Sequence, residues 1–600
     1  MINWELKTEW DLSRLFADLP QARAKFEELK IAGQRIVKTY QPLFGDNLTG
    51  HTILSFTEDE KTFGKEFHDV SCYAQARQTK NVNDTDIEKF VNDLNDWSTQ
   101  FSKDTSFADV RLLALTAEEW EKFYAEEPLL EPYRAHFTDY LRYHDHRPLD
   151  DAHAARIADI EHQRELLNIE AQKIITNEVT KAGIVTLSDG RELEINSQTY
   201  REILSSDVNR ENRKIVFERN REHAIKLSGK MTEIYQKKAK LDDALAKELN
   251  FPDYYEEKLF GDEIKADQVR EMNQVFKNRK TDFDPYYEFR RQRMGLDKLQ
   301  VYDTAITLLD DPNQKISFED AVSDINRSYE HFPHLRKTLQ KTVTTGLIDA
   351  FPNPEHGKAP IGYCMSISDG SALIFMNYKG LIQDVQTLTH EVGHGGNDHL
   401  MTNVDRIYWG QTMYEAEIAS TFNEELLLDY AIANYDHDTA LAVLADAVED
   451  YANYFTSQTL ITEFEMMAHE LIRLKEVSNL DLNHLWTQLS KEYANPLLES
   501  YDDDNARWTG IPHIYFTYNY YTYCYALSRA ITLSLFKIYK ENPQGFEKKY
   551  TAYLSVGSSM GPHEKLKKFF DIEINEQLFH DAMDVVKMRI QQLLEMSEVN

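Results

Sequence analysis

Apolar positions through the first 150 residues recur at helical spacing between short polar turns, with abundant Glu, Lys, Leu and Phe and few β-branched clusters. Helix is the expectation for this whole stretch. From Asp151 the pattern sharpens. Ile157, Ile160, Leu167, Ala171 and Ile174 are separated by three, four and seven residues, which marks one apolar stripe of a long helix. The period then changes. Ile184 to Leu187 and Glu192 to Ile195 are two β-prone runs flanking Ser188-Asp189-Gly190-Arg191, and Asp-Gly in that position predicts a hairpin.

Charged, helix-favouring sequence resumes from Thr199 to about Arg293 and includes Tyr254, Tyr255, Tyr286 and Tyr287. Gly295 to Asp303 and Asp310 to Asn313 are expected to be loops, as is a longer segment containing Pro352, Pro354, Gly357 and Pro360. After it, Cys364 to Ser368 and Ala372 to Tyr378 bracket Asp369-Gly370-Ser371, a second predicted hairpin. Near the end, Ala582, Val586, Ile590 and Leu593 share one face of a packing helix. The chain carries no solenoid repeat and no low-complexity tract. It is therefore expected to be mainly α, with small hairpins near 184–195 and 364–378, an N-terminal helical lobe over 1–200 and a second lobe over 201–600.

Composition narrows the partners. With 42% hydrophobic and 12% aromatic residues, 600 residues suffice for several structural units and a large core. Lys and Arg number 67 against 101 Asp and Glu, and the net charge of −34 repels phosphate backbones and anionic membranes. Neither nucleic acid nor membrane is an expected partner. Cys72, Cys364 and Cys524 are too few and too scattered for a disulfide framework. The start, Met1-Ile2-Asn3-Trp4-Glu5, has no basic segment leading into an apolar run, and no stretch reaches 18 uninterrupted apolar residues. A cytoplasmic location is expected by elimination; oligomeric state is left open.

The chemistry concentrates at Thr387-Leu388-Thr389-His390-Glu391-Val392-Gly393-His394. Two imidazoles four residues apart on a helix point the same way and can share one zinc ion, with Glu391 beside the open coordination position. Zinc would lower the pKa of a bound water from ~16 toward ~7, and Glu391 is the candidate acceptor and relay of its proton. From Leu381 to Gly396 only Asp384 and Glu391 carry carboxylates and no Lys or Arg appears, unlike a solvated helix face. Asp384 is a plausible N-cap, and Gly395-Gly396 an end or a bend.

Catalytic zinc wants a third protein ligand. The pattern H-E-x-x-H-x-x-G-x-x-H fails at Asn397 and Leu400, which leaves His399 out. Glu417 and Glu424 lie seven apart in Tyr414 to Glu425, on one helix face but ~10 Å apart along the axis, so only one can ligate. With Glu417 as ligand, Glu424 is free to fix a histidine by hydrogen bonding. Further on, Trp508 to Tyr515 contains His513 and is followed by Tyr518, Tyr520, Tyr521, Tyr523 and Tyr525. Tyr518, Tyr521 and Tyr525 share a helical face. A hydroxyl or imidazole there could stabilise the oxyanion of amide hydrolysis, although a tyrosine stripe also serves simply as packing.

Taken together, His390-Glu391-Val392-Gly393-His394, the Glu417 to Glu424 segment and the run around Ile511-Pro512-His513 resemble the oligoendopeptidase F branch of the thimet-oligopeptidase-type zinc peptidases. The similarity spans roughly residues 295 to 570, with weaker echoes at Leu299 to Asp303 and Gly557-Ser558-Ser559. It implies two helical lobes enclosing a deep channel, with one zinc at its floor, and an endopeptidase restricted to short peptides. His390, His394 and Glu417 would hold the metal, Glu391 would be the general base, and His513 with a following tyrosine would assist at the oxyanion. The family's principal tyrosine falls on Thr522 here, so the donor is open among Tyr518, Tyr521, Tyr523 and Tyr525. An exopeptidase of the same zinc class and a non-catalytic peptide-binding scaffold are the alternatives.

Overall fold

Helices begin where side chains can satisfy their first N–H groups. Asp18, Thr49, Asp84 and Thr116 cap the helices Leu19–Tyr40, Gly50–Lys80, Thr85–Leu113 and Ala117–Glu126, the last through a reciprocal Thr116–Glu119 box. The computed structural model describes residues 3–148, 150–309, 314–499, 505–515 and 519–598. Asp310 to Asn313 and Tyr518 lie outside the described residues. These first helices close on an aromatic core that includes Phe26, Phe56, Phe90, Trp120 and Phe137.

The stripe from Ile157 to Ile174 lies on the helix Asp151–Ile174, which packs along Arg210–Glu248. Ala171 and Ile174 share a core with Met231 and Tyr235 and with Phe464, Trp486 and Trp508 far downstream. The helix Asp151–Ile174 is thus covered by segments that follow residue 200 in the chain. The first hairpin forms as predicted, Gly183–Thr186 against Glu192–Ile195 with Ile184 opposite Glu194. The segment 295–303 is less of a loop than expected. Leu299–Gln300 pairs in parallel with Leu498–Glu499, and the Asp303 carboxylate is buried between Arg210 and Arg213.

A three-stranded sheet sits against the motif helix. Ala372–Phe375 is its buried centre, parallel to Ile348–Asp349 and antiparallel to Tyr363–Ser366. The turn between the last two strands closes with Gly370 at φ +74°, and a Cβ there would lie 2.0 Å from Thr402 Cγ2. Only glycine satisfies both constraints. The helix Gly50–Lys80 grips the same hairpin: Asp69 Oδ1 accepts from Ser368 N at 2.9 Å, and the Thr79 and Tyr363 hydroxyls meet at 2.8 Å.

The motif lies on the helix Ile382–Met401, packed antiparallel along Met413–Asn434. Asp384 is one turn inside the helix rather than its N-cap; Oδ2 folds back to accept from Leu381 N and Lys379 N. Nor do Gly395 and Gly396 end it. A Cβ at Gly396 would lie 2.8 Å from Leu335 Cδ2 and one at Gly395 3.0 Å from Ala372 Cβ, so both glycines serve close packing inside the helix. The C-terminal helix Glu576–Ser597 buries Ala582, Val586, Ile590 and Leu593 as expected. Among the described residues no helix is long and apolar enough to cross a membrane.

Candidate active site

His390 and His394 project from one face of their helix, as four-residue spacing requires, and Glu417 meets them from the neighbouring helix. The two Nε2 atoms are 3.1 Å apart, and Glu417 Oε2 lies 3.3 Å from that of His390 and 3.7 Å from that of His394. Among the described residues these three are the group of His, Cys, Asp or Glu side chains able to converge on a metal ion. Tetrahedral zinc with bonds of ~2.0–2.1 Å separates its donors by about 3.3 Å, so the residues fit this ion. Ser420 Oγ donates to Glu417 Oε2 at 3.1 Å and steadies it.

Electrostatics agrees with the geometry. Burial disfavours charge on His390, but Glu417 and Glu424 at its two nitrogens raise its pKa to about 10. Burial and the neighbouring His390 lower His394 to about 4, which keeps its ring neutral. Burial opposes charge on Glu417 too, and the two imidazoles overcome it, holding the carboxyl at about 2. A positive charge among the three donors is what this arrangement favours.

Behind the ligands stands a buttress. His390 Nδ1–H donates to Glu424 Oε1 at 2.7 Å, and Arg529 Nη2 donates to Glu424 Oε2 at 2.5 Å. Arg529 also meets Glu425, which accepts from Arg589 at 3.0 Å and from the Tyr451 hydroxyl at 2.5 Å. This chain fixes the imidazole tautomer so that Nε2 presents its lone pair. Sequence reasoning reached Glu424 and missed Arg529. Its signal was available: Arg529 is the one charged residue between Tyr523 and Phe536, and the structure buries it.

Glu391 stays free. It is 8% exposed, burial pushes its carboxyl up to about 7, and among the described residues no side-chain hydrogen bond ties it down. Asp398, one turn beyond His394, is a half-buried acid that the motif did not announce; desolvation raises it to about 7, and Cys364 Sγ lies 4.0 Å away.

His513 occupies a short turn, Pro512–Ile514, and stacks on Tyr521 with ring centroids 5.7 Å apart and planes 1° from parallel. Its Nε2 is 3.5 Å from the Tyr525 hydroxyl, and Tyr521 meets Tyr525 edge-on at 5.0 Å. Burial lowers the His513 pKa and raises those of Tyr521 and Tyr525, so all three are neutral near pH 7 and both phenols keep their protons. The Glu417 carboxylate adds to the rise in both tyrosines, which puts them within electrostatic reach of the ligand set. Tyr523 points elsewhere. Its buried hydroxyl donates to Asp262, because the turn into the helix Tyr523–Glu541 directs it at the start of Met413–Asn434, where Asp262 also accepts from Met413 N. Thr522 is likewise buried, against Thr462. Among the described residues, the tyrosines brought together with His513 are thus Tyr521 and Tyr525.

A family model for peptidase family M3 matches residues 203–585. The oligoendopeptidase F homolog of Borreliella burgdorferi is 24% identical over 98% of this chain and 97% of its own. Among solved structures, oligoendopeptidase-F from Enterococcus faecium superposes with a TM-score of 0.72 at 19% identity, covering 96% of this chain and 100% of its own. A Chlamydophila abortus chain superposes with a TM-score of 0.84 at 19% identity, covering 98% of each. The family match takes in both ligand helices and the His513 turn, and with the His390–His394–Glu417 cluster it makes this chain a member of peptidase family M3, an oligoendopeptidase F-like zinc metallopeptidase.

Proposed function

We propose that the chain hydrolyses internal bonds of short peptides, with Glu391 as the proton acceptor. The observation that carries this reading is the division of labour among the acids: Glu417 and Glu424 are locked by imidazoles and Arg529, while among the described residues no side chain binds Glu391, which is pushed up to about 7. His390, His394 and Glu417 would hold one zinc ion. When bound, zinc supplies a Lewis acid that polarises the scissile carbonyl and acidifies water. The Glu391 carboxylate would take a proton from the attacking water as its oxygen bonds to the carbonyl carbon, and pass it to the amine nitrogen as the C–N bond breaks. His513 and the Tyr521 and Tyr525 hydroxyls donate to the carbonyl oxygen as negative charge builds there.

The strand Tyr363–Ser366 supports binding of an extended peptide. It is the edge of its sheet, and its register leaves the Cys364 N–H and C=O on the outer side, with Gly362 beside Glu391. A channel between the N-terminal and catalytic lobes would restrict substrates to short peptides.

A mixed pool of peptides with both ends blocked, analysed by mass spectrometry with and without a chelator, tests the reading. Internal cleavage that stops on chelation is the expected result. Blocked peptides left intact while free-ended ones lose terminal residues would establish an exopeptidase instead.

A further inference from the structure

A cavity of about 350 Å³ opens beside His390, between the first turns of its helix, the middle of Met413–Asn434 and the end of the helix His437–Ala452. Its walls are largely apolar, with Leu428 and Val443 among them, and its polar groups include Gln386, Thr387, Tyr454 and Asp450. The volume suits one or two residues of a ligand.

The acids in this cavity are unequal. Glu424 is taken by His390 and Arg529, and Glu425 by Arg529, Arg589 and Tyr451. Asp450 is exposed to the cavity and, among the described residues, its carboxylate makes no hydrogen bond and no ion pair. Desolvation by the surrounding cavity walls and the nearby Glu424 raise it to about 7. Arg529 offsets only part of this rise, because that guanidinium is paired with Glu424 and Glu425 and lies over the Tyr454 ring at 4.7 Å. An unpaired carboxylate, an aromatic face and aliphatic walls together suit a long apolar stem ending in a cation.

Resting on the endopeptidase reading, we propose that this cavity is a specificity pocket that takes a lysine or arginine side chain of the peptide, its cationic head paired with Asp450. Since His390 forms part of the wall, the basic residue occupies one fixed position within a few residues of the cleaved bond.

The test is kcat/KM on end-blocked peptides identical except at one position, which carries Arg, Lys, Gln, Leu or Glu, for the wild type, Asp450→Asn and Asp450→Lys. Zinc content and thermal melting confirm that each variant is folded. We expect the wild type to favour Arg or Lys over Gln by about tenfold or more at one position, the scale of a charge-assisted hydrogen bond. Asp450→Asn should bring that ratio close to one, and Asp450→Lys should shift preference toward Glu. A wild-type ratio near one, or a ratio unchanged in Asp450→Asn, overturns the proposal. So does a preference that appears only when the peptide amino terminus is free, which would assign Asp450 to that terminus. Binding of the same peptides to Glu391→Gln, with and without Asp450→Asn, reads the pocket without turnover. Loss of the pocket and loss of endopeptidase activity therefore give different results.

Discussion

Glu391 and Glu424 sit near the same imidazole and face opposite demands. Glu424 is immobile, since Arg529 and His390 hold both oxygens, and they keep it at about 2 despite burial. Glu391 has no such partners. Glu391→Gln preserves volume and leaves every ligand in place, so the variant should keep one zinc per chain by elemental analysis. Its kcat/KM should fall by roughly 10²–10⁴-fold, the usual worth of a positioned acid or base; near-normal turnover would remove Glu391 from the mechanism. Glu424→Ala should behave differently. It frees the His390 ring and strands the Arg529 guanidinium, so zinc affinity measured against a competing chelator should drop roughly 10–100-fold. Activity should then return substantially with excess zinc. If zinc affinity stayed unchanged, the buttress would have no role in holding the metal.

The two ligand helices approach closely because Gly393, between the histidines, has no side chain. A Cβ at 393 would lie 2.6 Å from Ser420 Cα and 2.8 Å from Ala419 O, both backbone atoms that cannot move aside locally. Gly393→Ala should therefore separate the helices and pull Glu417 from the imidazoles, at a cost of about 1–3 kcal/mol in stability and with loss of tight zinc binding. Wild-type affinity in that variant would mean the helices tolerate the gap. The motif was legible in the sequence because helical spacing alone aligns His390 with His394, and Glu417 followed from ligand chemistry. Both hairpins were legible because Asp-Gly turns are local. What was not legible depends on contacts remote in the chain. The parallel pairing of Leu299–Gln300 with Leu498–Glu499 involves two residues a side, too few for a periodic signal. Of the four candidate tyrosines, Tyr518 lies outside the described residues, and where Tyr521, Tyr523 and Tyr525 point depends on how the chain turns into its helix. That turn has Tyr520 at φ +60°, its N–H donating to Glu465 Oε1 at 3.1 Å. Burial pushes Glu465 from 4.5 up to about 8, so the folded state binds a proton that the unfolded state releases. Its contribution to stability is lost as pH rises from about 4.5 towards 8. Glu465→Gln keeps the acceptor oxygen and removes the proton. The melting temperature of the variant relative to wild type should then rise between pH 5 and pH 8, and a flat difference would show that Glu465 is not protonated in the fold.

For the molecule as a whole, the acidic surplus acts over distances that no single contact reaches. A net charge of −34 on 600 residues gives the molecule a negative long-range potential, which attracts cationic peptides and repels anionic ones. Screening shortens that reach to ~10 Å at 0.1 M salt and ~3 Å at 1 M. For a peptide with several lysines or arginines, kcat/KM should fall as salt is raised, while that of a neutral peptide of equal length stays nearly level. The two electrostatic effects are separable, because one is a property of the surface and the other of a single carboxylate. Asp450→Asn should lose the preference for a basic residue at one position and still show the full salt dependence. High salt should weaken capture of every cationic peptide more than it changes the positional ratio, since a pair in direct contact is shorter than the screening length while long-range attraction is not. Equal salt slopes for cationic and neutral peptides would instead mean that the acidic residues face away from the substrate's path, and basic-peptide selection would then depend on the cavity beside His390 alone.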